Sequence, residues 1–140
     1  MLKVILDTDI LSEFLKGYDL SVAAHARAYA LHFTQFTFTS VTAYEMSFGL
    51  ELKGATSQLQ KIHAWMKQNE QIVPIEDDYL TAAKVKATAG RQGKIVELPD
   101  SLIAAVASRL SLPLVTGNTG DFQAIQGTGL PLILKNWREP

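Results

Sequence analysis

Residues 1–14, MLKVILDTDILSEF, set a β-branched apolar run of Leu2, Val4, Ile5 and Leu6 directly ahead of Asp7-Thr8-Asp9. Ile10, Leu11, Phe14 and Leu15 then resume the apolar pattern. The run is broken only by Lys3 and reads as a strand buried on both faces. Strand, polar turn and helix in that order describe one unit of an open parallel sheet covered by helices. Ligands of such sheets bind in the crevice beyond the carboxyl ends of the strands, so Asp7 is presented to whatever that crevice holds. A plainer task suits the same side chain, because Asp7 or Asp9 can cap the helix that follows by accepting from the exposed amides of its first turn. The case for chemistry must come from other acids meeting it.

Gly17 is placed to close the first helix, and Val22, Ala26, Ala30 and Phe33 predict a second over 21–33. Phe36-Thr37-Phe38-Thr39 alternates as a short strand. A helix then begins at Ser40 or Thr42, with Val41, Tyr44, Phe48 and Leu52 at helical spacing, Glu45 in its first turns and Gly54 at its end. Leu59, Ile62, Trp65 and Met66 mark another amphipathic helix within 56–69. Ile72-Val73-Pro74-Ile75 is expected to be an edge strand because proline cannot donate to a central ladder, and Asp77 or Asp78 to cap the next helix. In LPDSLIAAVASRL, proline suits the helix start and Asp100 the helix dipole. Its apolar residues run nearly all round, which predicts a helix sandwiched in the core. Pro113 ends it, Leu114-Val115-Thr116 forms a buried strand, and Gly117 to Phe122 is a polar turn carrying Asp121. Leu130 to Leu134 supplies a last edge strand, with Trp137 as a late anchor. The expected architecture is α/β: a single three-layer domain over residues 1–140, with a mostly parallel central sheet flanked by helices.

Composition removes several classes. Hydrophobic residues at 47% and charged residues at 19% suit a compact fold rather than a disordered chain. Thirteen basic against fourteen acidic residues leave a net charge of -1, so any polyanion must be held by a local patch or by metal. The absence of cysteine rules out disulfides, thiolate metal sites and cysteine catalysis. His63 has no second histidine at ligand spacing and is read as a packed or surface imidazole. No apolar run approaches membrane-spanning length, and Asp7 arrives before any signal-peptide core can form, so a cytoplasmic protein without membrane association is expected.

Four acids, Asp7, Glu45, Asp100 and Asp121, each follow a strand-like segment or open a helix, so a doubly wound sheet can bring them to one crevice. Each also has a local explanation. Thr42-Ala43-Tyr44-Glu45 fits a capping box, Asp100 a dipole partner and Asp121 a turn residue. If they converge, two carboxylates ~5 Å apart repel by roughly 3 kcal/mol at an effective dielectric of 20, which only protonation or a cation relieves. Hard oxygen ligands without histidine or cysteine select Mg²⁺ or Mn²⁺ over zinc, and a carboxylate-held metal with open positions is what phosphodiester hydrolysis requires.

Four motifs, LDTDILSEFLKG, SVTAYEMSFGL, LPDSLIAAVA and VTGNTGDF followed by LPLILKNW, occur in an order and spacing that resembles the PIN-domain ribonucleases of the VapC type, the toxin half of bacterial toxin–antitoxin pairs. The resemblance runs over essentially the whole chain. It implies a PIN-like fold and an acidic cluster of Asp7, Glu45, Asp100 and Asp121, with Asp7, Asp100 and Asp121 on one or two Mg²⁺ ions, Glu45 orienting water, and Thr8, Thr116 and Asn118 as polar neighbours. Position 9 is often Asn in relatives and is Asp here; the last acid of the family falls at the position of either Asn118 or Asp121. The implied reaction is hydrolysis of RNA, restrained by a small antitoxin whose C-terminal segment lies in an apolar groove and reaches the acids with an arginine. Leu11, Phe14, Leu15, Tyr44 and Phe48 are candidate groove contacts, against the alternative that they pack the core. A homodimer is also expected.

Lys84, Lys86, Arg91 and Lys94 form the one strongly basic stretch and are candidate RNA-backbone contacts, or else a solvated helix face. Two other functions compete. VILDTDIL also resembles the Asp-x-Asp turn of haloacid-dehalogenase-like phosphatases, which makes Asp7 a nucleophile and Asp9 a general acid. Leu11 departs from that pattern and no later acidic pair follows. The third alternative is a binding module without catalysis, whose sign is a lack of metal affinity.

Overall fold

The computed structural model describes residues 1–140. The chain runs β1 (Ile5–Leu6), α1 (Thr8–Lys16), α2 (Leu20–Ala30), β2 (Thr37–Thr39), α3 (Ser40–Leu52), α4 (Thr56–Lys67) and β3 (Glu70–Ile72). It continues through α5 (Glu76–Arg91), α6 (Leu98–Leu110), β4 (Leu114–Val115), α7 (Thr119–Gln126) and β5 (Leu134–Lys135). All strand pairs are parallel. Hydrogen bonding divides the strands into β1-β4-β5 and β2-β3, and β1 packs beside β2. The spatial order is therefore β3-β2-β1-β4-β5. The chain winds outward from β1 through β2 and β3, then returns to its other side with β4 and β5, so the order reverses between β1 and β4.

Strand alternation separates the core into two layers. Val4, Leu6 and Val115 face Ile10 and Leu11 of α1, Val22, Ala26 and Tyr29 of α2, and Met46, Met66 and Trp137. Ile5 and Leu114 point the other way, onto α5, α6 and α7. Helices thus cover both faces of the β1-β4 pair, giving the α/β three-layer arrangement expected from the sequence. Residues Ser101–Ala107 of α6 are all buried, more than one face of a helix supplies, because α6 is enclosed by the sheet, α5 and α7. Alanines at 104, 105 and 107 allow that close approach. No helix is long and apolar enough to cross a membrane.

Several local expectations are corrected. The capping box at Thr42–Glu45 does not form: Thr39 caps α3, its hydroxyl accepting from the Thr42 N–H, and this frees Glu45 for other contacts. Neither Asp77 nor Asp78 is the N-cap of α5. Ile75 holds that position, and Asp78, three residues inside, reaches back to accept from the Ile75 N–H at 2.9 Å. Asp78 also takes two bonds from Arg109, at 2.8 and 2.9 Å. Strand β3 pairs over 70–72, so Val73 to Ile75 are a connection, consistent with proline's missing donor at 74. The polar turn at 117–122 is shorter than expected: α7 starts at Thr119, drawn in by the burial of Phe122 and Ile125.

Candidate acidic site at the carboxyl ends of β1 and β4

The register Leu6↔Val115 sets Asp7 opposite Thr116 at the strand ends. Asp7 is buried, and both its oxygens are used: Oδ1 accepts from the Thr8 N–H at 2.8 Å as the cap of α1, and Oδ2 accepts from the Thr116 hydroxyl at 2.7 Å. The Thr116 oxygen in turn accepts from the Asn118 N–H at 3.0 Å. Capping and site placement therefore coexist in one carboxylate. Burial pushes Asp7 up to about 7, helped by the charges of Asp9 and Asp100 and opposed by its two hydrogen bonds.

Asp100 sits in the first turn of α6, a helix that runs back toward the start of β4 and so opens at the carboxyl end of the sheet. Its carboxyl is pushed up to about 6, first by burial and then by Glu45, Asp121, Asp9 and Glu97. Glu45, freed from capping, accepts from the Thr8 hydroxyl at 2.6 Å, and that hydroxyl also lies 3.0 Å from the buried Thr42 hydroxyl. Asp121 is exposed in the first turn of α7 and accepts from the Asn118 amide at 2.9 Å. The structure thus brings Asp7, Thr8, Glu45, Asp100, Thr116, Asn118 and Asp121 to one region.

Asp9, Thr42, Gly117 and Arg138 also meet this cluster, outside the acidic set and polar neighbours that the motifs imply. Asp9 Oδ2 accepts from the Gly117 N–H at 2.9 Å and lies 3.7 Å from Nη1 of Arg138. The Asp-x-Asp spacing was the available signal for Asp9; nothing local marked Arg138, which arrives from the far end of the chain.

Two residues of the basic stretch have other partners, and a third lines a cavity. Lys86 donates to the Val96 carbonyl, Arg91 donates to the Thr88 hydroxyl, and Lys84 lines a separate cavity with Thr81, Thr88 and residues 128–131. No hydrogen bond or ion pair links Lys84, Lys86, Arg91 or Lys94 to the acids. His63 bonds Ser47 on the surface. Among the candidate groove residues, Leu11 is fully buried and Phe14 and Leu15 pack against the core, whereas Tyr44 and Phe48 are exposed and stacked with centroids 6.3 Å apart.

The donor set fits a hard divalent cation in kind, being carboxylate oxygen without sulfur or imidazole. No three of these side chains gather close enough around one point to hold an ion as they stand. Charge coupling reaches farther than a coordination bond, and Asp7, Asp9 and Asp121 are each turned toward a hydrogen-bond donor of their own.

The PIN domain model matches residues 4–127. Among solved structures, the fold is similar to a chain of the DNA-bound VapBC complex of Salmonella typhimurium, at 23% identity and a TM-score of 0.80 over 98% of this chain and 99% of that one. It is also similar to a chain of a toxin–antitoxin complex from Klebsiella pneumoniae, at 26% identity and 0.66 over 89% and 94%. A chain of VapBC-5 from Mycobacterium tuberculosis matches at 25% identity and 0.62 over 97% and 98%. Nothing matches among curated proteins.

Proposed function

The chain belongs to the PIN domain family, and on that premise we propose that it is a divalent-metal-dependent ribonuclease and the toxin half of a toxin–antitoxin pair. One observation carries the reading: Asp7 and Asp100 stand at the starts of helices at the carboxyl end of the sheet, Glu45 is bonded to Thr8 beside Asp7, and Asp121 is bonded to Asn118 beyond β4, so four carboxylates border the crevice where the strand order reverses. Such crowding, without histidine or cysteine, suits a hard cation.

Asp7, Asp100 and Asp121 are the residues that would hold Mg²⁺ or Mn²⁺. When bound, the cation supplies Lewis-acid stabilisation of the charge that develops on phosphate oxygens. Thr116 fixes the Asp7 carboxylate from β4, and the Asn118 amide fixes Asp121. Glu45, held by Thr8, orients and deprotonates the attacking water. Asp9 accepts from Gly117 and faces Arg138, which suits a positioning residue more than the general acid of the phosphatase alternative. The experiment is cleavage of single-stranded RNA by the purified chain. Cleavage with Mg²⁺ or Mn²⁺, abolished by chelator and by Asp100→Asn, supports the reading; no cleavage with any divalent ion overturns it.

The toxin assignment draws on the toxin–antitoxin complexes that the fold resembles. Tyr44, next to Glu45, and Phe48, about one turn after it on α3, offer an exposed apolar patch suited to a partner helix. A small protein encoded beside this gene should copurify with the chain and block its cleavage of RNA. The homodimer and a cytoplasmic location belong to the same proposal.

A further inference from the structure

The acidic crevice has to receive a polyanion, yet none of the four basic residues singled out by sequence is ion-paired or hydrogen-bonded to its acids. One cation does stand beside the acids. Arg138 sets Nη1 3.7 Å from Asp9 Oδ2, beyond hydrogen-bond length, and its side chain remains 39% exposed. None of its guanidinium N–H groups is hydrogen-bonded to a protein acceptor, and only its backbone N–H is used, donating to Asn136 Oδ1 at 3.0 Å. Arg109, by contrast, gives two N–H groups to Asp78 at 2.8 and 2.9 Å and is spent as a structural arginine.

The seat of Arg138 is built. The neighbouring Trp137 is buried, stacks on His25 at 5.9 Å and packs on Tyr29 at 5.8 Å. The Glu139 carbonyl lies 2.8 Å from His25 Nε2 on the other side of the same arginine. These contacts clamp the C-terminal segment to α2 and deliver the guanidinium over Gly117, where a Cβ would collide with it. Absence of a side chain at 117 is what lets the arginine lie on the β4–α7 turn. A planar fork of donors, fixed at its base and unspent at its tip, is suited to bidentate contact with phosphate.

We propose that Arg138 binds a backbone phosphate of the RNA strand next to the scissile bond, holding the strand against the repulsion of the carboxylates; this rests on the ribonuclease reading above. The test is steady-state cleavage of a fluorescein-labelled single-stranded RNA in Mn²⁺ by the full chain, its Arg138→Gln and Arg138→Lys variants, and both changes in an Asp9→Asn background. Arg138→Gln should raise KM roughly tenfold, the loss of one charge-assisted contact, while kcat and the melting temperature stay nearly constant. The salt dependence of log KM should lose a slope of about 0.7, one phosphate contact, and Arg138→Lys should recover both in part. The same KM effect in the Asp9→Asn background separates phosphate binding from simple neutralisation of Asp9. If wild type cleaves and Arg138→Gln leaves KM and its salt slope unchanged, or acts only when Asp9 is present, or lowers the melting temperature in proportion to its effect, the inference fails while the ribonuclease reading stands. If wild type cleaves no RNA, both fail.

Discussion

Thr116 Oγ1 donates a 2.7 Å hydrogen bond to Asp7 Oδ2, joining the residues immediately after β4 and β1 across 109 residues of chain. The same oxygen accepts from Asn118, so one buried hydroxyl sets both the first acid and the turn that leads to Asp121. Thr116→Val keeps the shape and removes the hydroxyl, leaving a buried carboxylate oxygen and an amide without partners. We expect a loss of about 1–3 kcal/mol in urea denaturation and a further rise in the Asp7 pKa. Unchanged stability would show that water replaces the hydroxyl at no cost.

Asp7 and Asp100 both bind protons more tightly folded than unfolded, their values rising from 3.8 to about 7 and about 6. Between about pH 4 and pH 7 the folded chain therefore holds more protons than the unfolded one, so these two groups lower stability progressively as pH rises through that window. Asp7→Asn removes the charge and can retain both partners, its carbonyl accepting from Thr8 and its amide donating to Thr116. In chelator at about pH 7.5 it should stabilise the chain by roughly 2–4 kcal/mol, with the difference from wild type vanishing near pH 4. Melting temperatures across that range check the sign; destabilisation at neutral pH contradicts it.

Much of this arrangement is legible in sequence because it is local. The run Val4–Leu6 ending at Asp7, the strand Leu114–Val115 ending at Thr116, and Asp100 in the turn after Pro99 each declare a strand end or a helix start by apolar pattern alone. The departures from local pattern come from competition between neighbours for one role and from partners distant in sequence. Thr39 outcompetes Thr42 for the cap of α3, which turns Glu45 from a capping residue into a partner of Thr8. Asp78 follows a strand-like segment as a cap would, while its pairing with Arg109, 31 residues away, has no local trace. Arg138 was invisible for the same reason. Its placement depends on Trp137 finding α2, a packing event between the two ends of the chain.

Asp78 gives a control remote from the acids. Burial alone would raise its pKa, yet the Arg109 hydrogen bonds, the Ile75 N–H and the Arg109 charge hold it below the usual carboxylate value. Arg109→Met leaves that carboxylate buried without its cation, held only by the Ile75 N–H. The expected loss is roughly 2–3 kcal/mol, less than for a fully buried pair because the guanidinium is about a third exposed. It should fall mainly at neutral pH and fade as Asp78 is protonated. RNA cleavage per folded molecule should match wild type; a specific loss of turnover would mean that α5 and α6 transmit strain to Asp100.

Calorimetric titration with Mn²⁺ of wild type, Asp7→Asn and Asp100→Asn tests most directly whether the acids at the β1 and β4 ends form one metal site. Wild type should bind the ion, and each single substitution should weaken binding at least tenfold, since each removes a charged ligand from the same shell. If both variants bind Mn²⁺ as tightly as wild type, or wild type binds none, the carboxylates gathered around Asp7 and Asp100 are not a metal centre.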